Sequence, residues 1–266
     1  MKRSGIITLT TDFGSRDGYV GAMKGVILQT SPAIRVMDIS HDVPAQDIAH
    51  GGHVLAISVP HFPPGTVHVA VIDPGVGTDR PVLLGEFDGQ FVVGPDNGLV
   101  TELLAGAQES VCWHVPAELW PRAAVSATFH GRDVFAPIAA LLATGRLDPA
   151  ACGDPISPLR LRTPRREIRE DFVIGEIVGS DRFGNARTSL RDSDVRFSQP
   201  RVAVEGIGSV PWVRTYADAD EGDLVALVGS SGWVEVAVVG GSAFREHGLT
   251  QGQTVRVARE VALLGV

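Results

Sequence analysis

The chain is poor in cysteine, carries no basic excess and has no long apolar run, and each lack removes a class of function. Only Cys112 and Cys152 occur in 266 residues. Their spacing fits neither a metal-ligand set nor a disulfide framework, so both are expected to be ordinary buried thiols in a reducing, cytoplasmic compartment. Lys and Arg number 23 against 31 Asp and Glu, a formal net charge of −8. A sequence-independent nucleic-acid binder would need a basic footprint; this balance suits a neutral or cationic ligand better. No segment approaches the ~20 apolar residues of a membrane-spanning helix, so no membrane partner is expected. The N-terminal MKRSGIITLTTDFG starts basic, but its apolar stretch is broken by threonines and Asp12, which marks a first strand and not a signal peptide. There is no internal repeat, no Ser or Cys nucleophile motif and no His-rich metal spacing. No metal is expected.

What is present is an ordinary globular composition, 44% hydrophobic and 20% charged, long enough for one large domain or two modest ones. Three apolar runs in the first hundred residues stop on an acidic side chain in a glycine turn: ITLTTDFG at Asp12, VHVAVIDPGVG at Asp73 and QFVVGPDNG at Asp96. Strands ending this way place carboxylates along one rim of a sheet, where ligands of open α/β sheets bind. Between them, helical spacing predicts helices over Asp17 to Gln29, Asp47 to Val59, Leu99 to Leu104 and Phe135 to Thr144, with strands at Ile34 to Ile39 and Cys112 to Val115. The alternation predicts an α/β domain with a largely parallel sheet and helices on both faces. His50 and His53 lie one turn apart but have nothing to complete a metal set, and read as solvated helix positions. From Gly153 the texture changes to DPISPLRLRTPRREIRED, a linker whose arginines are solvated or paired with acidic neighbours. FVIGEIVGSD, ARTSLR, RVAVEGIG, DLVALVGSSG, WVEVAVVGG and QTVRVARE then read as short strands of a small, closed or nearly closed β-barrel. The expected division is 1–158, a linker at 159–168, and 169–266.

Taken singly, the rim motifs leave alternatives open. Asp12-Phe13-Gly14 resembles a kinase metal-binding triplet, but no glycine-rich phosphate loop or lysine strand precedes it. Asp12 can accept hydrogen bonds from a sugar diol, or Asp12 and Asp17 can merely cap the helix. Asp73 and Arg80 stand at opposite ends of a glycine-containing turn, either as a charge-assisted pair that holds a small polar molecule or as a structural salt bridge. His130, set between Phe129 and Gly131, is either catalytic or structural. Gly94 to Gly98 reads as a turn, with Asn97-Gly98 as its signal.

Together, TLTTDFGSRDGYVGAMKGVI, AVIDPGVGTDR, GPDNGLV, TFHGRDVFAP, SDRFGNARTSL and GSSGWVEVAVVGGSA resemble, in order from Ile6 to about Val257, the S-adenosyl-L-methionine (SAM) hydroxide adenosyltransferases. These SAM hydrolases are related to the fluorinase and chlorinase. The resemblance implies an N-terminal α/β domain and a C-terminal β-barrel, assembled as homotrimers whose sites lie between neighbouring subunits. It implies hydrolysis of SAM to adenosine and L-methionine, without a cofactor, by attack of water on C5′. Asp73, Arg80 and His130 would activate the water, and Asp12 would hold the ribose hydroxyls. Asp17, Tyr19, Asp181, Ser230 and Ser231 would surround the methionine end. Asn185 would read the adenine edge, with Phe183 stacking and backbone groups from Val238 to Gly240 assisting. The halogenases carry an aromatic residue and a threonine where this chain has Asp73 and Val76, which argues against halide use. Three further departures are Ser231, where the fluorinase has an arginine, and Ser189 and Gly240, where many relatives have asparagine. Halogenation at C5′ and a non-catalytic SAM or adenosine sensor are the alternatives, with a metal-dependent phosphoesterase a distant third.

Overall fold

The computed structural model describes residues 2–121 and 124–259; residue 1, residues 122–123 and the end of the expected second domain, 260–266, lie outside them. The chain divides into two compact units, Met1–Leu161 and Arg162–Val266.

The first unit runs β1 (Ile6–Thr11), α1 (Tyr19–Thr30), β2 (Arg35–Ser40), α2 (Ile48–Ser58), β3 (Val67–Val71), β4 (Val82–Phe87), β5 (Gln90–Pro95), α3 (Thr101–Gly106), β6 (Ser110–His114) and α4 (Ala136–Ala143). The sheet order is β2-β1-β3-β5-β4-β6. β2, β1, β3 and β5 are parallel, whereas β4 pairs antiparallel with both β5 and β6. The sheet is therefore mixed, which corrects the largely parallel expectation. The cause is the two-residue turn Asp88-Gly89, with φ of 46° and 80°, the positive-φ pair of a tight hairpin turn that joins β4 to β5. Helices cover both faces. Val20, Met23 and Ile27 of α1 pack with α4 on one side against Val67, Val69 and Val71; Leu55 of α2 and Leu103 of α3 pack on the other against Ala70 and Val92. That alternation along β3 is the period-two pattern of a strand buried on both faces.

A polar chain crosses this core. Thr8 Oγ1 and His68 Nδ1 are 2.7 Å apart, His68 Nε2 is 2.9 Å from Gln90 Oε1, and Gln90 Nε2 donates to the Val59 carbonyl. Burial drives the His68 pKa down to about 4.

Among the described residues the second unit is nearly all strand: β7 (Arg166–Ile168), β8 (Phe172–Ser180), β9 (Ala186–Arg191), β10 (Pro200–Val204), β11 (Gly208–Val210), β12 (Leu224–Val228), β13 (Trp233–Val238), the short turn α5 (Ala243–Glu246), and β14 (Thr254–Arg259). Antiparallel pairings follow β11-β10-β14-β8-β9-β13-β12. The segment after β11 then returns onto β12, where Val213 N donates to Ala226 O and Ala226 N to Pro211 O, so the barrel is nearly closed. Within 159–168, Leu159 N donates to Asp96 Oδ1 and Leu161 N to Thr101 Oγ1, while Arg166 Nε binds Asp194 Oδ2 at 2.8 Å. Among the described residues no helix is long and apolar enough to cross a membrane.

Candidate active site

Because β1, β3 and β5 are parallel, Asp12, Asp73 and Asp96 share the rim at their carboxyl ends, and the antiparallel β4 starts there. The loop from Asp73 to Arg80 therefore leaves and re-enters the sheet on one edge. Thr78 clips it, donating from Oγ1 to the Gly75 carbonyl at 2.7 Å. Gly77, at φ 80°, passes so close to the chain that a Cβ would lie 2.5 Å from Ala127 O.

This loop brings Arg80 onto Asp73. Arg80 Nε donates to Asp73 Oδ1 at 2.8 Å and Nη2 donates to Oδ2, a two-pronged grip. The side chains are 10% and 5% exposed, and the guanidinium lies 5.2 Å over the Phe135 ring. Nη2 also reaches His130 Nδ1 at 2.9 Å. A guanidinium only donates, so Nδ1 is the acceptor and the imidazole proton sits on Nε2. Burial first, and then the Arg80 charge, hold the His130 pKa below its ordinary value against the pull of Asp73 and Asp133. The ring is thus neutral near neutral pH. Arg80 Nη1 is buried and has no hydrogen-bond partner among the described residues. Titrated by NMR, His130 is expected to protonate below 6.5 in the wild type and closer to that value in Arg80→Met; no movement would remove Arg80 from the list of causes.

His130 leads into one wide π-helical turn, Gly131–Phe135, that opens α4; such turns gather at functional sites. Asp133 fixes the approach by accepting from Ser126 N at 2.9 Å and from both prongs of Arg132. Asp12 accepts from Gln46 N at 2.8 Å through Oδ2, and its other oxygen has no partner among the described residues. The cap alternative is not what forms: α1 starts after Gly18 with no side-chain cap. Asp17 is exposed. Tyr19, half exposed, stacks edge-on with Phe13 and Phe129 at centroid distances of 6.0 and 5.2 Å. Asp96 turns inward, accepting from His114 Nε2 at 2.7 Å and from Leu159 N, so it ties chain segments together. His53 is buried against Glu102 at 3.0 Å, not solvated as expected, because α3 packs on α2. His41, which the sequence did not single out, braces the Asp12 turn: its Nδ1 is 2.9 Å from Thr11 Oγ1 and its carbonyl accepts from Gly14 N.

The second unit holds a cleft of about 950 Å³ whose lining includes Asp181, Phe183, Asn185, Ser230, Val238 and Gly240. Ser231 is exposed beside it. Phe183 is 74% exposed, a ring face open to a planar partner. Asp181 Oδ1 accepts from the backbone N–H groups of Gly184 and Asn185, and Oδ2 accepts from Asn185 Nδ2, so most of its capacity is used within its own loop. Ser189 lies inside the barrel, accepting from Glu176 N and donating to Arg165 O. Tyr216 and Glu235 also line the cleft; they come from a turn and a strand far apart in sequence, and no spacing signal could have joined them. Burial raises the Cys112 thiol to about 11. Both cysteines are free thiols, and among the described residues no three His, Cys, Asp or Glu side chains gather as a metal set.

Two family models match the chain: the SAM hydroxide adenosyltransferase N-terminal domain over residues 7–153 and its C-terminal domain over residues 175–256. A Salinispora tropica protein named (R)-S-adenosyl-L-methionine hydrolase is 40% identical over 257 residues, covering 94% of this chain and 97% of that one. A fluorinase from an Actinoplanes species is 26% identical, covering 96% and 97%. A crystal structure of an uncharacterised conserved protein from Thermotoga maritima superposes with a TM-score of 0.86 at 32% identity, covering 95% of this chain and all of that one. The chain belongs to the SAM hydroxide adenosyltransferase family.

Proposed function

We propose that this protein hydrolyses SAM to adenosine and L-methionine through in-line attack of water on C5′. The observation that carries this is the buried Arg80, gripped by Asp73 and bonded to a neutral His130. Positive charge beside a water favours its hydroxide-like form, and fixed donors aimed at developing negative charge need no reorganisation at the moment of reaction. Asp73 orients Arg80, and His130 contributes an Nε2–H donor. The sulfonium leaves as a neutral thioether and needs no acid. Cationic substrate and water give neutral adenosine, zwitterionic methionine and one proton, which passes to solvent. Holding the oxygen in line with the C5′–S bond can supply about 7–11 kcal/mol.

The free oxygen of Asp12 suits the ribose diol, with Asp17 and Tyr19 beside the methionine end. The second-unit cleft suits the base: Phe183 stacks on it, Asn185 and the Val238 to Gly240 backbone meet its edge, and Asp181, Ser230 and Ser231 approach the methionine end. Incubation with SAM and chromatography should show adenosine and methionine accumulating in equal amounts, undiminished by a chelator. Tightly bound, unchanged SAM would instead favour a sensor, and a 5′-halonucleoside formed with added chloride or fluoride would favour halogenation.

The reading extends to a cytoplasmic homotrimer in which each site takes its first-unit groups from one copy and its second-unit groups from the next. Mixing inactive Arg80→Met and Asn185→Ala chains, with reassortment, should then restore about a quarter of the sites, because copies assort at random around a closed ring. No recovery would mean that both halves come from one chain.

A further inference from the structure

Asp12 is held by a neighbouring segment at three points that its own strand does not supply. The pairing of β2 with β1 slips between Leu9 and Thr10, so that Leu9 faces Asp38 and Thr10 faces Ser40. Such a bulge re-aims the side chains beyond it, and His41 follows beside Thr11. His41 Nδ1 is 2.9 Å from Thr11 Oγ1, and the His41 carbonyl accepts from Gly14 N at 2.7 Å. These two contacts bracket Asp12. The ring is set from its other side as well: Nε2 lies 3.0 Å from Asp38 Oδ1, and Lys24 Nζ donates to Asp38 Oδ2 at 2.6 Å.

The third contact comes from a tight turn. Asp47 N donates to the Pro44 carbonyl at 3.0 Å, and Gln46, third of the four residues, has a φ of 66° while Ala45 has none above zero. That is a type II turn, whose third residue is ordinarily Gly. Among the described residues only Gln46 and Asp88 combine a side chain with positive φ, a conformation that strains any residue carrying a Cβ. A type I turn would suit Gln46 better, but it would turn the Ala45-Gln46 peptide over. In the turn that forms, the N–H of this peptide meets Asp12 Oδ2 at 2.8 Å; turned over, its carbonyl would face the carboxylate instead.

We propose that His41 and Gln46 are positioning residues that clamp Asp12, fixing one carboxylate oxygen so that the other is aimed at a vicinal diol before the ligand arrives. This rests on the reading of Asp12 as the ribose contact. A carboxylate already ordered loses less freedom on binding, which gives the strain at Gln46 a use.

Calorimetric titration of the full chain with adenosine and with 2′,3′-dideoxyadenosine, which lacks the diol, tests this. The wild type should prefer adenosine by on the order of 10²-fold, as hydrogen bonds to a charged acceptor would give. His41→Leu, and Thr11→Val, which breaks the same contact with a side chain of the same shape, should narrow that ratio by roughly three- to tenfold, the worth of one hydrogen bond. Dideoxyadenosine should bind these variants as it binds the wild type, whereas a general loosening of the fold would weaken both ligands alike and contradict the proposal. His41→Asn, whose amide keeps a polar atom where Nδ1 stood, should retain most of the ratio. The turn is read by urea unfolding: Gln46→Gly should raise the midpoint more in the wild type than in Asp12→Ala, where the released turn can flip. An unchanged ratio in both His41→Leu and Thr11→Val, or equal gains from Gln46→Gly in the two backgrounds, would overturn the proposal. Hydrolysis is scored separately: intact SAM with a ratio that narrows in the variants defeats the hydrolase reading alone, and adenosine formation with a ratio that does not narrow defeats this one alone.

Discussion

Arg80→Met should lower the rate of adenosine formation by roughly 10²–10³-fold, the usual loss when a fixed donor to developing negative charge is removed. The same variant strands Asp73, whose side chain is 5% exposed, as an unpaired buried charge, at a cost of about 3–5 kcal/mol in stability. The two effects can be separated. In Asp73→Asn/Arg80→Met no charge is buried unpaired, so the urea midpoint should recover while the rate does not. Arg80→Lys keeps the charge but cannot grip Asp73 with two prongs and reach His130 as well, so its single-turnover rate should also fall steeply. Recovery of rate in the double variant would mean that Arg80 matters only as a structural partner of Asp73.

The second large effect is on acid stability. The His68 pKa is about 4 in the fold against an ordinary 6.5. Between those values the unfolded chain binds a proton that the folded chain refuses, so protons favour unfolding. The contribution is complete above about 6.5 and declines as pH falls, the loss reaching about 3 kcal/mol once pH passes the folded value. His130, also depressed, acts with the same sign. Asp38 and Asp194 are depressed from 3.8, so their ion pairs lose stability only below that value, outside the His68 window. Urea unfolding across this range should show the decline in the wild type and a flatter profile in His68→Gln. An equal slope in both would remove His68 as the cause.

What was legible follows from how far apart the cooperating residues lie. Strand ends at Asp12 and Asp73 could be read because apolar runs and glycine turns are local, and β1 and β3 then place both carboxylates on one rim. The Asp88-Gly89 hairpin was equally local, and weighing that dipeptide as a turn would have shown β4 running against β5. Asp96 read only as part of a turn, since its partners His114 and Leu159 lie 18 and 63 residues away. Arg80 and His130 are 50 residues apart; spacing alone left each open, and only the ordered set of motifs joined them. Tyr216 and Glu235 became visible only when the barrel brought a turn and β13 to one cleft.

Attack on C5′ is tested most directly by running the reaction in water carrying a heavy oxygen isotope and weighing the products. The account requires one heavy oxygen in the adenosine, at its 5′ position, and none in the methionine. Unlabelled adenosine, or methylthioadenosine in its place, would contradict it.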